Sequence, residues 1–165
     1  MQKRIFSLLV DNTAGVLSRV AGMFSRRGYN IDSLTVGETA NPKFSRMTVM
    51  CSGDDRILEQ IEKQLAKLVD VRDIKVLTRD ESVVHETIMV KVKVQPEQRE
   101  RVISIADIFR AKIVDVSKDS LIVEMTGSET KLAACVDLLK DYEILELART
   151  GMTGLSRGSD NITFL

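Results

Sequence analysis

The stretch Ile5-Phe6-Ser7-Leu8-Leu9-Val10-Asp11-Asn12-Thr13-Ala14-Gly15-Val16-Leu17 decides the fold, because an apolar run ends in it and a helix begins over a glycine-containing turn. Ile5 to Val10 reads as a buried strand. Downstream, Val16, Val20, Met23 and Phe24 fall on one helical face. Asn12 or Thr13 stands where a helix cap would, accepting from a first-turn amide. Those amides carry partial positive charge, and Gly15, lacking Cβ, lets a ligand approach the backbone closely. In outline the turn is a small anion cradle, although the same pattern occurs in α/β domains that bind nothing.

Outward from this turn, Arg26-Arg27-Gly28-Tyr29-Asn30 ends the helix, with basic residues at its negative end and Gly28 as a left-handed cap. Ile31, Leu34 and Val36 suggest a second strand. Asn41-Pro42 breaks the pattern, and Met47, Val49 and Cys51 resume it on one face, so the two strands read as a hairpin with a polar loop. Asp54 or Asp55 opens a second helix with the stripe Ile57, Leu58, Ile61, Leu65 and Leu68. A strand over Val71 to Leu77 follows.

Beyond a polar run the order repeats. His85 to Val94 alternates cleanly, with Ile88, Val90, Val92 and Val94 to one side. Pro96 opens a helix carrying Val102, Ile103, Ala106 and Phe109. Two short strands, Ile113 to Val116 and Leu121 to Met125, precede a helix that Ser128 is placed to cap, and Ile144 to Leu147 closes the set. Each half reads β-α-β-β-α-β, the split ferredoxin-like motif, giving an α+β fold of two antiparallel sheets with helices on one face. The expected organisation is a first domain over 1–78, a linker over 79–83 and a second domain over 84–165 that ends in a glycine-containing tail, either docked or loose. The free sheet faces, with apolar or Met-rich residues available, suggest pairing of domains within or between chains.

Composition narrows the function. The 165 residues carry 24 Lys plus Arg against 24 Asp plus Glu, so nothing points to a global attraction to nucleic acid or to an anionic membrane. Single-strand RNA-binding domains of this frame stack bases on strand aromatics, and here the first strand offers Phe6 alone. Aromatics are 4% of the chain and Trp is absent, so the core is built of Ile, Leu, Val and Met. The one histidine, His85, starts a strand beside Glu86, which points to the opposite face, so the pair is not poised for acid–base work. No nucleophile elbow, phosphate-binding loop or dinucleotide fingerprint occurs. Cys51 and Cys135 lie far apart within apolar patterns and read as reduced, buried side chains of a cytoplasmic protein, with no metal spacing. No apolar run reaches membrane-spanning length, and a strand starts too soon for a secretory signal.

The run Asp11 to Arg19, followed by Arg27-Gly28-Tyr29-Asn30-Ile31-Asp32-Ser33-Leu34-Thr35-Val36, closely resembles the amino-acid-binding ACT domain of acetolactate synthase small subunits. Further matches are Ser45-Arg46-Met47-Thr48, Leu58 to Leu65, Ile108-Phe109-Arg110 and Thr150 to Gly158. The resemblance spans essentially the whole chain in order. It implies a non-catalytic regulatory chain that activates a separate catalytic (large) subunit and confers feedback inhibition by valine. Thiamine diphosphate, magnesium and FAD would then belong to the partner, with no cofactor in this chain. The family's valine site lies between two ACT domains of a homodimer. Carried over, Asn12 and Gly15 with Val16 and Leu17 would hold the ligand from one chain, and Asn30 would reach in from the other. An ACT-type amino-acid sensor with another partner is the alternative.

Overall fold

In the computed structural model, which describes residues 1–159, the chain forms two compact units, each built around its own antiparallel sheet. The first contains β1 (Gln2–Asp11), α1 (Val16–Arg27), β2 (Ser33–Glu38), β3 (Phe44–Gly53), α2 (Asp55–Ala66) and β4 (Val71–Leu77), with sheet order β2-β3-β1-β4. Period-two alternation puts Phe6, Leu8 and Val10 of β1 and Met47, Val49 and Cys51 of β3 on the helix side. Val20 and Phe24 of α1 and Leu58 and Ile61 of α2 close over them. Each such side chain contributes about 1.5–3 kcal/mol when fully buried. That sum fixes the register, because a one-residue slip would turn the whole set outward.

The helix ends follow local chemistry in two cases and depart from it in two. Gly28 adopts φ 68° at the end of α1, and Asp54 Oδ1 accepts from the Ile57 amide at 2.8 Å at the start of α2. Asn12 and Thr13, however, do not cap α1, whose N-cap is Gly15 with no side-chain bond. Ser128 does not cap its helix either; its Oγ lies 3.3 Å from Thr130 Oγ1.

The second unit repeats the topology. It runs through β5 (Ser82–Lys93), a single 3-10 turn at Pro96–Gln98, α3 (Arg99–Ile108), β6 (Lys112–Val116), β7 (Ser120–Gly127), α4 (Glu129–Leu139) and β8 (Glu143–Arg149), in sheet order β6-β7-β5-β8. Ile88, Val90 and Val92 pack beneath Val102, Leu132 and Leu139. Its free face is more charged than expected: Lys91 pairs with Glu146 at 2.7 Å and Lys93 with Glu143 at 3.3 Å, while Met89 lies exposed at the end of this row opposite Ala148.

The boundary also differs from expectation. The units are Met1–Val84 together with the chain from Met152, and His85–Gly151. Residues 79–83 are not a free linker, since Ser82 is buried, donates to Thr78 O at 2.6 Å and starts β5. The tail is docked: its strand β9 (Thr153–Ser156) pairs β5, contacts β3 and β4, and is followed by Arg157 N donating to Glu81 O at 2.7 Å. The end of that tail, 160–165, lies outside the described residues.

Cys51 and Cys135 are both free and buried, and burial pushes the Cys51 thiol up to about 12 and raises that of Cys135. Neither should react with an aromatic disulfide reagent at about pH 8 in the native protein, and both should react once guanidinium unfolds it; spectrophotometric thiol titration checks this.

Candidate functional site

At the end of β1 the chain must turn into α1, and the hydrogen bonds of that turn are made on two sides. Asp11 N donates to Asp70 O at 2.9 Å, and the Asp11 carboxylate receives Arg72 Nε and Nη2, both at 2.7 Å. Arg72 is the residue gained by β4 where the β1–β4 register shifts, so the bulge aims it at Asp11. On the other side Asn12 N donates to Lys43 O at 2.8 Å, while Asn12 Nδ2 donates to Pro42 O at 2.9 Å and Glu38 Oε2 at 3.1 Å. The turn is thereby clamped between the start of β4 and the β2–β3 loop.

Asn12 thus turns its side-chain amide to the loop, and the N-cap position of α1 falls to Gly15, which has no side chain. The Leu17 and Ser18 amides have no protein acceptor among the described residues, and the Val16 amide has only Thr13 O at 3.5 Å. Gly15 takes φ 88°, a left-handed conformation that only glycine adopts without cost, and a Cβ there would meet Arg19 Nη1 at 2.9 Å. Arg19 lies over the turn because Asp70 holds its Nε at 2.5 Å and its Nη2 at 3.0 Å. Paired hydrogen bonding from Arg19 holds the Asp70 carboxyl below its usual range, and Arg72 does the same for Asp11. Local acid–base character is thus absorbed in two bidentate ion pairs, leaving uncapped amides as the unspent polar groups.

Of the five candidate residues, Asn12, Gly15, Val16 and Leu17 come together here. Val16 is buried as the first core residue of α1, whereas Leu17 is 46% exposed beside the uncapped amides. Asn30 does not join them. It follows the opposite end of α1, and twelve helical residues separate Gly15 from Gly28, about 18 Å at 1.5 Å per residue. Asn30 Nδ2 donates to Asp32 Oδ1 at 2.8 Å, and Asp32 Oδ2 accepts from Ser52 Oγ. In both Asn12 and Asn30 the amide nitrogen is committed, and among the described residues neither Oδ1 has a partner. Glu38, Asp70, Arg19 and Arg72, which shape the turn, escape a reading by local spacing because their partners lie 26 to 61 residues away.

Residues 6–73 match the model of the AHAS small subunit-like ACT domain, and residues 85–158 match that of the small subunit of acetolactate synthase. The acetolactate synthase isozyme 3 small subunit of Salmonella typhimurium is 47% identical, covering 94% of this chain and 96% of that one. The acetolactate synthase small subunit of Haemophilus influenzae is 44% identical over 97% and 99%. The crystal structure of the small subunit from Thermotoga maritima superposes with a TM-score of 0.88 at 39% identity, over 96% and 99% of the two chains. The chain belongs to the acetolactate synthase small-subunit family.

The first unit is therefore the ACT domain of this family, and the clamped turn sits at the start of its first helix. Among the described residues of this small-subunit relative no cluster of three or more His, Cys, Asp or Glu is arranged to hold a metal, and no helix is long and apolar enough to cross a membrane.

The ion pairs give the turn a pH dependence. Asp70 and Asp11 are held below their ordinary value of 3.8, so their contribution is complete above that value and is lost as pH falls through the lower native values. Asp70→Asn should lower the melting temperature at about pH 7, and the gap to wild type should shrink as pH falls from about 5 toward 3. Calorimetry across that range checks it; a constant gap would mean that the carboxylate charge is not what Arg19 needs.

Proposed function

We propose that this chain is the non-catalytic regulatory subunit of an acetolactate synthase, which activates a separate thiamine-diphosphate-dependent catalytic subunit and makes it sensitive to valine. Magnesium and FAD, like the thiamine cofactor, would be held by that partner, and the assembly would be cytoplasmic. Family membership supports the role. The observation that carries the effector site is the uncapped start of α1 beside Gly15, with Asn12 turned away from it.

Valine presents a carboxylate, an ammonium and a small branched chain. The carboxylate matches the Leu17 and Ser18 amides at the positive end of α1. Unpartnered amide oxygens such as Asn12 Oδ1 and Asn30 Oδ1 match the ammonium. Exposed Leu17 offers an apolar wall. A dissociation constant of roughly 0.1 mM requires about 5.5 kcal/mol, or about 0.7 kcal/mol per heavy atom, which calls for an enclosed site.

Enclosure follows from pairing two copies along β2. This strand is one edge of its sheet, and its outer side pairs with no strand among the described residues. An antiparallel β2–β2 contact about a two-fold axis sets Ser33 of one copy beside Glu38 of the partner subunit. Glu38 is bonded to Asn12 and Asn30 precedes Ser33, so the same contact carries Asn30 toward the partner's clamped turn. Two equivalent sites result, each spanning both chains.

Gly15→Asp should abolish valine binding, since it puts bulk and negative charge where the carboxylate sits. The left-handed φ and the displaced Arg19 should cost about 1–2 kcal/mol, roughly 3–8 °C in melting temperature, without unfolding the domain. Isothermal titration with unchanged valine binding would sink the site. Asn30→Ala should weaken valine about tenfold or more with little change in melting temperature. Copurification of a large thiamine-dependent subunit, with valine-sensitive activity on reconstitution, separates this reading from an amino-acid sensor with another partner.

A further inference from the structure

The face of the first sheet turned away from its helices carries a feature that the effector site does not use. Leu34 of β2 packs into the core, so its neighbours Ser33 and Thr35 point to the opposite face. There they grip the backbone of a single residue: Met152 N donates to Ser33 Oγ at 2.8 Å and Thr35 Oγ1 donates to Met152 O at 2.8 Å. Met152 is only 6% exposed and is the first residue of the chain's return from the second unit. The return path is closely fixed. Gly151 turns it at φ 87°, and a Cβ on Gly154 would stand 2.6 Å from Val83 O.

Directly beside this grip is a polar atom with nothing to bond. Thr48 lies opposite Thr35 in the β2–β3 ladder, on the same face, and is 1% exposed. Its Oγ1 is buried without a hydrogen-bond partner among the described residues. Leaving a buried hydroxyl unsatisfied is costly, and opposed threonines on one face of a sheet come within hydroxyl reach. The Thr35 hydroxyl donates to Met152 O and stands across the ladder from Thr48 Oγ1, and it can donate to one acceptor at a time.

We propose that Thr35 is a regulatory hydroxyl toggle: bonded to Met152 O it holds the returning chain on the sheet, and rotated to Thr48 Oγ1 it releases that hold and satisfies the buried threonine. Ser33 is the fixed half of the grip. The inference rests on the effector reading above, which supplies the bias. β2 carries Asn30 and Asp32 before it and Glu38, bonded to Asn12, at its end, so a ligand bound at those ends acts on the strand that bears the toggle. A preference of about fivefold between two states suffices for an allosteric coupling. The signal then reaches the second unit through its own covalent return at Met152.

The test uses the full chain, alone and reconstituted with its catalytic subunit. Valine binding is followed by titration calorimetry and hydrogen exchange at the Met152 amide by NMR. In the wild type, saturating valine should change that exchange rate about fivefold or more. Thr48→Val removes the second acceptor; it should bind valine within about threefold of wild type yet lose both the exchange response and most of the inhibition by valine. Without ligand, Ser33→Ala should speed Met152 exchange about fivefold or more. Valine heat with unchanged Met152 exchange, or a Thr48→Val protein with full inhibition, overturns the toggle and leaves the effector site standing. Absence of valine heat in the wild type overturns the effector reading, and the toggle loses its bias with it.

Discussion

Asn12 turns its side-chain amide to the β2–β3 loop, and that commitment shapes the start of α1. Its Nδ2 donates to Pro42 O and Glu38 while the N-cap position falls to Gly15, which has no side chain, so among the described residues the Leu17 and Ser18 amides have no protein acceptor. A missing cap costs about 1 kcal/mol. The helix tolerates this because it buries Val16, Val20, Met23 and Phe24, each worth about 1.5–3 kcal/mol. Stability comes from the buried face, which frees the exposed end for binding.

The two units share a topology and use it differently. Both have a register shift between the first strand and its outer partner, at Leu9/Val10 and at Lys91/Val92. In the first unit the shift aims Arg72 at Asp11 and so fixes the turn; in the second, Lys91 and Lys93 meet Glu146 and Glu143 across the free face. Exposed ion pairs of that kind add little stability, typically under about 1 kcal/mol each, but they disfavour adventitious strand and sheet stacking. The first unit instead receives its own returning chain at Met152. The two frames share an element order, and the side chains of their free faces set them apart.

What could be read locally was legible in the sequence. The stripes of α1 and α2, the Gly28 cap and the Asp54 cap depend on residues within a turn of one another, and periodicity reports such neighbours directly. Both sheets followed from the repeated alternation. The turn is legible as well, but the capping role offered for Asn12 is not the one it takes, since it serves partners 26 and 30 residues away. The bond between Met152 and Ser33 spans 119 residues, and no pattern of neighbours announces it. Ser128 shows the converse limit: the residue type suits a cap, yet its hydroxyl faces Thr130. A propensity states what a side chain can do, and the tertiary contacts decide which option is taken.

The separation of Gly15 from Asn30 by the length of α1 constrains regulation as well as geometry. A ligand as small as valine cannot touch both ends of a helix about 18 Å long, so any site using both residues belongs to two chains. In the proposed two-chain site, linkage would make effector binding and chain pairing reciprocal: valine would tighten the β2–β2 contact by as much as that contact tightens valine. The strand at the contact is also the one that bears Ser33 and Thr35. An effector that reinforced pairing at the edge of β2 would therefore act on the same six-residue strand whose inner hydroxyls hold the returning chain.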